Sequence, residues 1–351
     1  MASINNTNNP NPLIQPYGIS EKEIGLELRT LGNRLNFDVA VYEKITNNQI
    51  ITVAQSIASG YNGTPQNLGK LRNKGLELLV EGTPIRTGKF SWNSSINGAY
   101  NESTVLELAP GQQSFQVNNF NQNGNEFLGR LTYEKGMALN QLVAKTYRRD
   151  AQGRIVLQAN GRLANVTNDP DRFFGSADPK WTGGWNNTFR YDKLSLLVHI
   201  DYKFGGKVFS STAINGLRQG YSQASLVGRE GGVIFNGVLP NGNQNTLPVD
   251  PQTFYGDYRS FQIGDPFVFD ASFIKLRNIT LAYDFTNMVK KAGFIKGLTL
   301  SASCRNVAIL KKSIPDLDPE AFASSGDNRL GYEQATLPTT RTFGLNLNVK
   351  F

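Results

Sequence analysis

The last ten residues of the chain, TFGLNLNVKF (residues 342–351), alternate strictly between apolar side chains and polar or small ones. Successive side chains of a β-strand point to opposite faces of the sheet. The pattern therefore places five apolar side chains on one face: Phe343, Leu345, Leu347, Val349 and Phe351. The segment predicts a β-strand with one wholly apolar face.

The same period of two recurs through the rest of the chain. It predicts nine strands, near residues 23–30, 34–45, 70–81, 90–102, 180–191, 194–206, 266–285, 297–310 and 339–351. The strand at 266–285 keeps its alternation only if one residue slips near Asn278, as a β-bulge would allow. A composition with 35 glycines, 11% aromatic residues and 3 methionines also favours strands and turns over helices. We therefore predict an all-β protein built on an antiparallel sheet.

Strand length and loop layout indicate the surroundings of this sheet. Most predicted strands exceed the roughly 5–6 residues usual in globular proteins, and they reach the ~9–11 residues that a tilted strand needs to cross a bilayer. Short connections at 31–33, 82–89, 192–193 and 286–296 alternate with long ones at 46–69, 103–179, 207–265 and 311–338. Alternation alone also fits a soluble β-sandwich. Short periplasmic turns and long extracellular loops are typical of a transmembrane β-barrel, so we predict a location in the outer membrane of a Gram-negative bacterium.

The strand count predicts an incomplete barrel. Single-chain bacterial barrels have an even number of strands, and lipid cannot satisfy the hydrogen-bonding groups of an open edge. The first ten residues, MASINNTNNP, have neither the basic region nor the apolar core of a signal peptide. We expect residues 1–22 to be an extracellular loop or a leader remnant, and residues 23–351 to be the C-terminal part of an outer-membrane β-barrel that is not active alone.

The two faces of the sheet suggest two groups of candidate functional residues. Five charged residues alternate with apolar ones and are expected to face the lumen, where they could contact a substrate: Glu27, Asp38, Arg190, Asp201 and Arg305. Three tryptophans are expected in an interfacial aromatic girdle, with stacking on glycans as the alternative: Trp92, Trp181 and Trp185.

Several classes of chemistry are excluded or disfavoured. One cysteine and one histidine, Cys304 and His199, exclude an intrachain disulfide, a cysteine-based zinc site and a multi-histidine metal centre. No nucleophile motif or phosphate-binding loop is present, so we predict no catalytic residue, no cofactor, no metal site and no enzyme activity. The formal charge of +8 is scattered along the chain, which argues against a nucleic-acid partner.

One acidic cluster leaves an alternative open. Asp316, Asp318 and Glu320 offer the oxygen ligands that Ca²⁺ prefers. A solvated acidic surface loop is the simpler interpretation of the same residues.

Several segments resemble, in order, the C-terminal barrel of the SusC/RagA family of TonB-linked (TonB-dependent) outer-membrane proteins. Among them are LGKLRNKGLELLVEGTPI (residues 68–85), FVFDASFIKLRNITLAYDF (267–285), DLDPEAF (316–322) and TTRTFGLNLNVKF (339–351). Residues 22–50 and 173–209 resemble other parts of the same barrel. Each match alone is weak, but the ordered set is specific and spans nearly the whole chain.

The resemblance implies the C-terminal part of a plugged transporter barrel of about 22 strands. Such a transporter imports large nutrients, oligosaccharides or peptides, together with a SusD-like surface lipoprotein. TonB would act through an N-terminal part, and no plug domain is recognisable in this sequence. The resemblance also implies that the assembly machinery recognises the row from Phe343 to Phe351, although Phe351 could simply be the last residue in contact with outer-membrane lipid. The alternative function is a structural or adhesive outer-membrane barrel whose extracellular loops bind a surface partner.

Overall fold

The computed structural model describes residues 8–54, 59–61, 63–109, 111–119, 128–289, 293–321 and 331–351. Its strands are β1 (Gly18–Thr30), β2 (Leu35–Ala54), β3 (Gly63–Arg86), β4 (Phe90–Glu107), β5 (Ser114–Asn119), β6 (Arg130–Glu134), β7 (Gln141–Lys145), β8 (Asp171–Ser176), β9 (Trp181–Tyr191), β10 (Leu194–Phe204), β11 (Lys207–Ser210), β12 (Val268–Asp270), β13 (Phe273–Asp284), β14 (Gly297–Lys312), β15 (Tyr332–Glu333) and β16 (Thr342–Lys350). Its helices are α1 (Ser211–Arg218), α2 (Pro251–Ser260) and α3 (Thr286–Val289). None of the helices in the described ranges is both long enough and apolar enough to cross a bilayer.

Nine long strands form a single sheet in the order β1-β2-β3-β4-β9-β10-β13-β14-β16. Every neighbouring pair in this sheet is antiparallel. Strand lengths run from 9 residues in β16 to 24 residues in β3. The predicted fold class, an antiparallel sheet of about nine long strands, is confirmed.

The apolar face of this sheet is not covered by other parts of the described chain. Ile24 in β1 is 77% exposed and Leu345 in β16 is 82% exposed. Leaving so much apolar surface in water would be unfavourable, since burial of apolar area contributes about 25 cal/mol per Å². A lipid environment removes that penalty, as for the outer face of a transmembrane barrel.

The strands extend beyond the predicted boundaries in the first half of the sheet. Pairing between β2 and β3 continues from Gln49 opposite Leu68 to Ala54 opposite Gly63. The long connection predicted at 46–69 is therefore wrong, because only residues 55–62 lie between the two strands. Ladder hydrogen bonds join backbone groups, so pairing can continue where the side-chain alternation ends. At the N-terminus, β1 begins inside the expected loop 1–22, and residues 1–7 lie outside the described residues.

The strand predicted at 266–285 is also divided. A 3₁₀ turn at Asp265–Phe267 leads into β12, which pairs with β11 in a separate three-stranded sheet. Before β12, Pro266 has no N–H to donate to a ladder. After β12, where the chain turns towards β13, the hydroxyl of Ser272 accepts a hydrogen bond from the Gly205 N–H at 2.9 Å. Within β13 the register skips one residue opposite β10, between Leu276 and Asn278, at the place where alternation required a slip.

Three long connections pack together at one end of the sheet and form what we call the loop layer: the segments between β4 and β9, between β10 and β13, and between β14 and β16. Alternate strands of an antiparallel sheet run in the same direction, so β4, β10 and β14 all end on this side. The main hydrophobic core lies here, and its largest fully buried side chains are Leu131, Leu142, Leu157, Leu163, Phe209, Ile214, Phe254 and Ile263. No buried member of this core, among the residues that the structure describes, belongs to the nine long strands.

Candidate functional site

The polar face of the nine-stranded sheet brings the five predicted lumen residues onto one surface. Glu27 lies directly opposite Asp38, and one row of register partners then continues through Leu79, Asn97 and Gly184 to Asp201. Side chains in one row of a sheet point to the same face. Three predicted residues therefore share a single row that crosses six strands.

Arg190 and Arg305 lie on the same face but in other rows. Arg190 is opposite Ser195 on β10, six residues along the strand from the row of Asp201. Arg305 is opposite Asn278 on β13 and Thr342 on β16. Contact of these residues with a substrate stays a prediction.

Charge is unevenly distributed over this face. Its part on β1, β2 and β3 carries six carboxylates, at Glu21, Glu23, Glu27, Asp38, Glu77 and Glu81. Arg29 donates from Nε to Glu27 at 2.8 Å, but this pair is largely exposed and contributes at most about 1 kcal/mol. The part on β10 and β13 carries Asp201, Lys275 and Arg277, and these three side chains are in ion pairs.

The bulge on β13 positions the centre of that paired cluster. Arg277 is the residue skipped in the register, and its Nε donates to the Asp201 carboxylate at 2.8 Å. Its Nη1 donates to the side-chain oxygen of Asn306 at 2.9 Å, beside a second irregularity on β14. A bulge redirects side chains in this way because the extra residue breaks the regular alternation. The predicted lumen residue Asp201 is thus the partner of a guanidinium group.

Lys275 completes the cluster two residues earlier on β13. Its Nζ contacts Asp318 at 2.6 Å and Glu320 at 2.7 Å, and Glu320 also contacts Arg277 at 2.8 Å. The Lys275 and Asp318 side chains are 3% and 5% exposed, so the centre of this ionic network is buried. Asp318 and Glu320 belong to the connection between β14 and β16, which therefore lies against the polar face.

These contacts show how Asp318 and Glu320 of the acidic cluster at 316–320 are arranged. Burial raises the pKa of Asp318, but hydrogen bonds from Lys275 and Thr339 outweigh burial and lower it to about 2. For Glu320, hydrogen bonds from Arg277 and Lys275 likewise outweigh burial and lower its pKa. Asp318 and Glu320 are ionised and bound to cations of the protein rather than solvated. Within the described ranges, no group of three or more acidic, histidine or cysteine side chains is arranged to hold a metal ion.

The three candidate tryptophans lie on the opposite, apolar face. The indole N–H of Trp92 donates to the side-chain oxygen of Asn187 at 2.9 Å, and that of Trp185 donates to the hydroxyl of Ser94 at 2.9 Å. Asn187 and Ser94 are register partners and are polar residues among the apolar side chains of this part of the face. An unsatisfied polar group in lipid costs several kcal/mol. Two of the tryptophans therefore satisfy polar groups on this face.

Trp181 differs from the other two tryptophans. Its ring contacts the ring of Tyr100 with centroids 4.9 Å apart. This aromatic pair fits the expected interfacial girdle, while stacking on glycans stays a prediction.

Replacing Trp92 with phenylalanine is expected to destabilise the folded sheet by about 1–3 kcal/mol, the usual cost of leaving a buried acceptor without its donor. Asn187 is 5% exposed and would lose the indole N–H. The measurement is the unfolding free energy in detergent micelles. Trp181→Phe is the matched control, because it removes an indole that contacts only a ring among the described contacts. Equal losses in the two variants would contradict the assignment.

The predicted assembly row lies along the edge strand β16. Phe343, Leu345 and Leu347 are opposite Cys304, Ala302 and Leu300 of β14, and all three are strongly exposed. Val349 and Phe351 continue the same apolar row to the end of the chain. A role in assembly stays a prediction.

Sequence reasoning missed Lys275, Arg277 and Glu320 as members of one cluster. The signal was present in two separate places, the break in alternation near Asn278 and the acidic segment that follows β14. A bulge on its own does not show which distant carboxylate will meet the redirected side chain.

Comparisons with known proteins agree with this geometry. A family model described as TonB dependent receptor-like, beta-barrel, matches residues 1–307. The TonB-dependent receptor P39 of Formosa agariphila is 26% identical over 373 residues, with 95% of this chain and 35% of the relative covered. The TonB-dependent receptor SusC of Bacteroides thetaiotaomicron is 24% identical over 340 residues, with 93% and 31% covered. The resemblance predicted from the sequence is confirmed.

Solved structures show the same fold. The structure of the RagAB peptide transporter superposes with a TM-score of 0.70 at 19% identity, with 95% of this chain and 35% of that chain covered. The RagAB peptide importer in its closed-closed state gives a TM-score of 0.69. The chain spans about a third of the length of the relatives it matches.

Proposed function

Because this chain belongs to the TonB-dependent receptor-like β-barrel family, we propose that it forms part of the wall of a transporter that imports oligosaccharides or peptides. Proteins of this family lie in the outer membrane of Gram-negative bacteria, as predicted, and they are transporters and receptors rather than enzymes. The import of large nutrients, and the role of this chain in it, are the proposal.

The observation that carries the proposal is the division of one continuous sheet into two faces. Its apolar face suits outer-membrane lipid, and its polar face holds a row of register partners that includes the charged residues Glu27, Asp38 and Asp201. A wall between lipid and a water-filled lumen requires this division. Peptides are one candidate cargo because the RagAB proteins, which share the fold, are described as a peptide transporter.

The proposed partners follow from the same relatives. A SusD-like surface lipoprotein would bind on the side of the loop layer, because the similarity to SusC and RagAB supports a shared architecture. TonB would act through a part of the polypeptide outside this chain. The two edge strands β1 and β16 would pair with further strands of the same barrel, which would satisfy their backbone groups in lipid.

The experiment is deletion of the gene in the source bacterium, followed by uptake of fluorescent peptides and of fluorescent oligosaccharides. We expect loss of uptake for one of the two classes, restored by the naturally encoded polypeptide. Purification of that polypeptide through an affinity tag should bring down a surface lipoprotein. Unchanged uptake of both classes, together with loss of adhesion to a surface partner, would favour the structural or adhesive alternative and refute the transport proposal.

Deleting Phe351 from the naturally encoded polypeptide is expected to lower its level in the outer membrane several-fold, while uptake per inserted molecule stays the same. The reason is that Phe351 ends the exposed apolar row of β16, which the assembly machinery would recognise. Immunoblots of outer-membrane fractions and uptake assays measure the two quantities. Phe351→Leu separates the two interpretations, because leucine preserves lipid contact but not the aromatic ring. A full level with leucine would mean that Phe351 is only the last lipid-facing residue.

A further inference from the structure

Residues 313–321, which we call the acidic segment, follow β14 and lie against the polar face of the sheet. The contacts converge from two residues of β13. Lys275 binds Asp318 at 2.6 Å and Glu320 at 2.7 Å. Arg277 donates from Nη2 to Glu320 at 2.8 Å and from Nε to Asp201 on β10 at 2.8 Å. Two cationic side chains of β13 therefore bind the two carboxylates of the segment.

The segment is also held at its two sides. The second carboxylate oxygen of Asp318 accepts hydrogen bonds from the Thr339 N–H at 2.9 Å and from the Thr339 hydroxyl at 2.5 Å, just before β16 begins. On the other side, Lys312 at the end of β14 donates to the Leu317 carbonyl at 2.8 Å. Ile314 is 2% exposed, so the segment buries an apolar side chain as well. The acidic segment is tied to β13, to β14 and to the approach to β16.

We infer that the acidic segment is a fixed part of the polar wall at the loop-layer end of the sheet, and that Lys275 and Arg277 are its positioning residues. Removing one partner of a buried ion pair leaves an uncompensated charge, so the buried pairing of Lys275 disfavours release of the segment. Exposed pairs such as Glu27 with Arg29 have no such effect, since water screens them. The position of the segment does not depend on what the protein transports.

Because of this position, the acidic segment covers part of β13 and β14 on the polar face of the sheet. Whatever moves along the polar face at the level of Lys275 meets the acidic segment instead of bare strands β13 and β14. With Lys275 and Arg277 occupied by carboxylates of the protein, the cations of β13 are not available to bind an anionic cargo. In the transport function proposed above, the segment would narrow the passage without opening or closing it.

The test is spin-label mobility at residue 315, an exposed proline of the segment. The naturally encoded polypeptide would carry Pro315→Cys for the label and Cys304→Ser to remove the native thiol. In outer-membrane vesicles we expect a single immobile spectral component. Lys275→Met and Arg277→Met should each raise the mobile fraction several-fold, and Lys275→Arg should return it towards the original value.

Lys203→Met is the matched control. Lys203 is on the same face, opposite Phe273 at the start of β13, and lies over the Phe273 ring at 5.9 Å. This variant should leave the label immobile. A label that is already mobile without substitution, or that stays immobile in Lys275→Met, would overturn the inference.

Folding is checked separately, by the shift in electrophoretic mobility that folded barrels show on heating. If Lys275→Met does not fold, Glu320→Gln takes its place. The Glu320 side chain is 20% exposed, and the substitution removes the carboxylate that Lys275 and Arg277 share. A mobile label in folded Glu320→Gln supports the inference, and an immobile one overturns it.

Discussion

Alanine at Gly183 is expected to prevent most of the protein from reaching its folded form. A Cβ atom at this position would lie 2.2 Å from the backbone carbonyl oxygen of Asn97 and 2.4 Å from the Tyr202 hydroxyl. Backbone atoms cannot turn aside as a side chain can, so β4 and β9 would have to separate. Overpacking typically costs about 1–3 kcal/mol, and we expect at least the upper end of that range here.

The measurement is the folded fraction in outer-membrane preparations, judged by heat-dependent electrophoretic mobility. Gly25→Ala is the matched control, because a Cβ at Gly25 in β1 would meet its nearest atom, the Val39 carbonyl oxygen, at an ordinary 3.6 Å. We expect that control to fold normally. Similar folded fractions in the two variants would show that the close approach at Gly183 is not structurally required.

Arg162→Met is expected to destabilise the loop layer by about 3–5 kcal/mol, the usual cost of leaving a buried charge without its partner. The Asp257 carboxylate on α2 is 1% exposed, and Arg162 is its partner through two hydrogen bonds. The guanidinium group also lies over the ring of Phe261 at 5.3 Å, so packing is lost together with charge. Hydrogen exchange of the amides in α2 and in residues 157–163 measures the effect.

Arg148→Met is the control for this second prediction. Arg148 pairs with Asp169 at 2.6 Å in the same layer, but its side chain is 48% exposed. Exposed pairs contribute about 0–1 kcal/mol, so exchange should change little. Faster exchange of equal size in both variants would indicate that burial of Asp257 is not what makes its pair important.

Alternation of apolar and polar residues was sufficient to predict the nine-stranded sheet. Where β16 pairs with β14, one face is uniformly apolar. Lipid-facing positions of a barrel strand are apolar, so the alternation can be read directly from the sequence. It was insufficient at the ends of β2 and β3, where the ladder continues through Asn47, Gln49 and Asn67 without an amphipathic pattern. Pairing there joins backbone groups, so the side chains show no period of two from which the strands could be predicted.

The loop layer was harder to predict for a different reason. Its core joins residues far apart in the sequence, such as Leu131, Phe209 and Tyr332, and no local period marks them as neighbours. The ionic cluster at Lys275 depends in the same way on a contact between β13 and a segment that begins after β14. The five lumen candidates were placed on one face by alternation alone, whereas their partners required the three-dimensional structure.

The composition of the loop-layer core has a consequence for the order of events during assembly. Its members come from three connections that leave the sheet at β4, β10 and β14, and Tyr332 is contributed only by the last of them. No connection can complete this core by itself, so we expect it to form after the three strands have become near neighbours. Contacts of such long sequence separation slow folding because the loops must close first. If the strands were inserted in the wrong order, the Leu, Ile and Phe side chains of this core would stay exposed outside the membrane. We therefore expect the loop-layer core to form only in chains with the correct strand order.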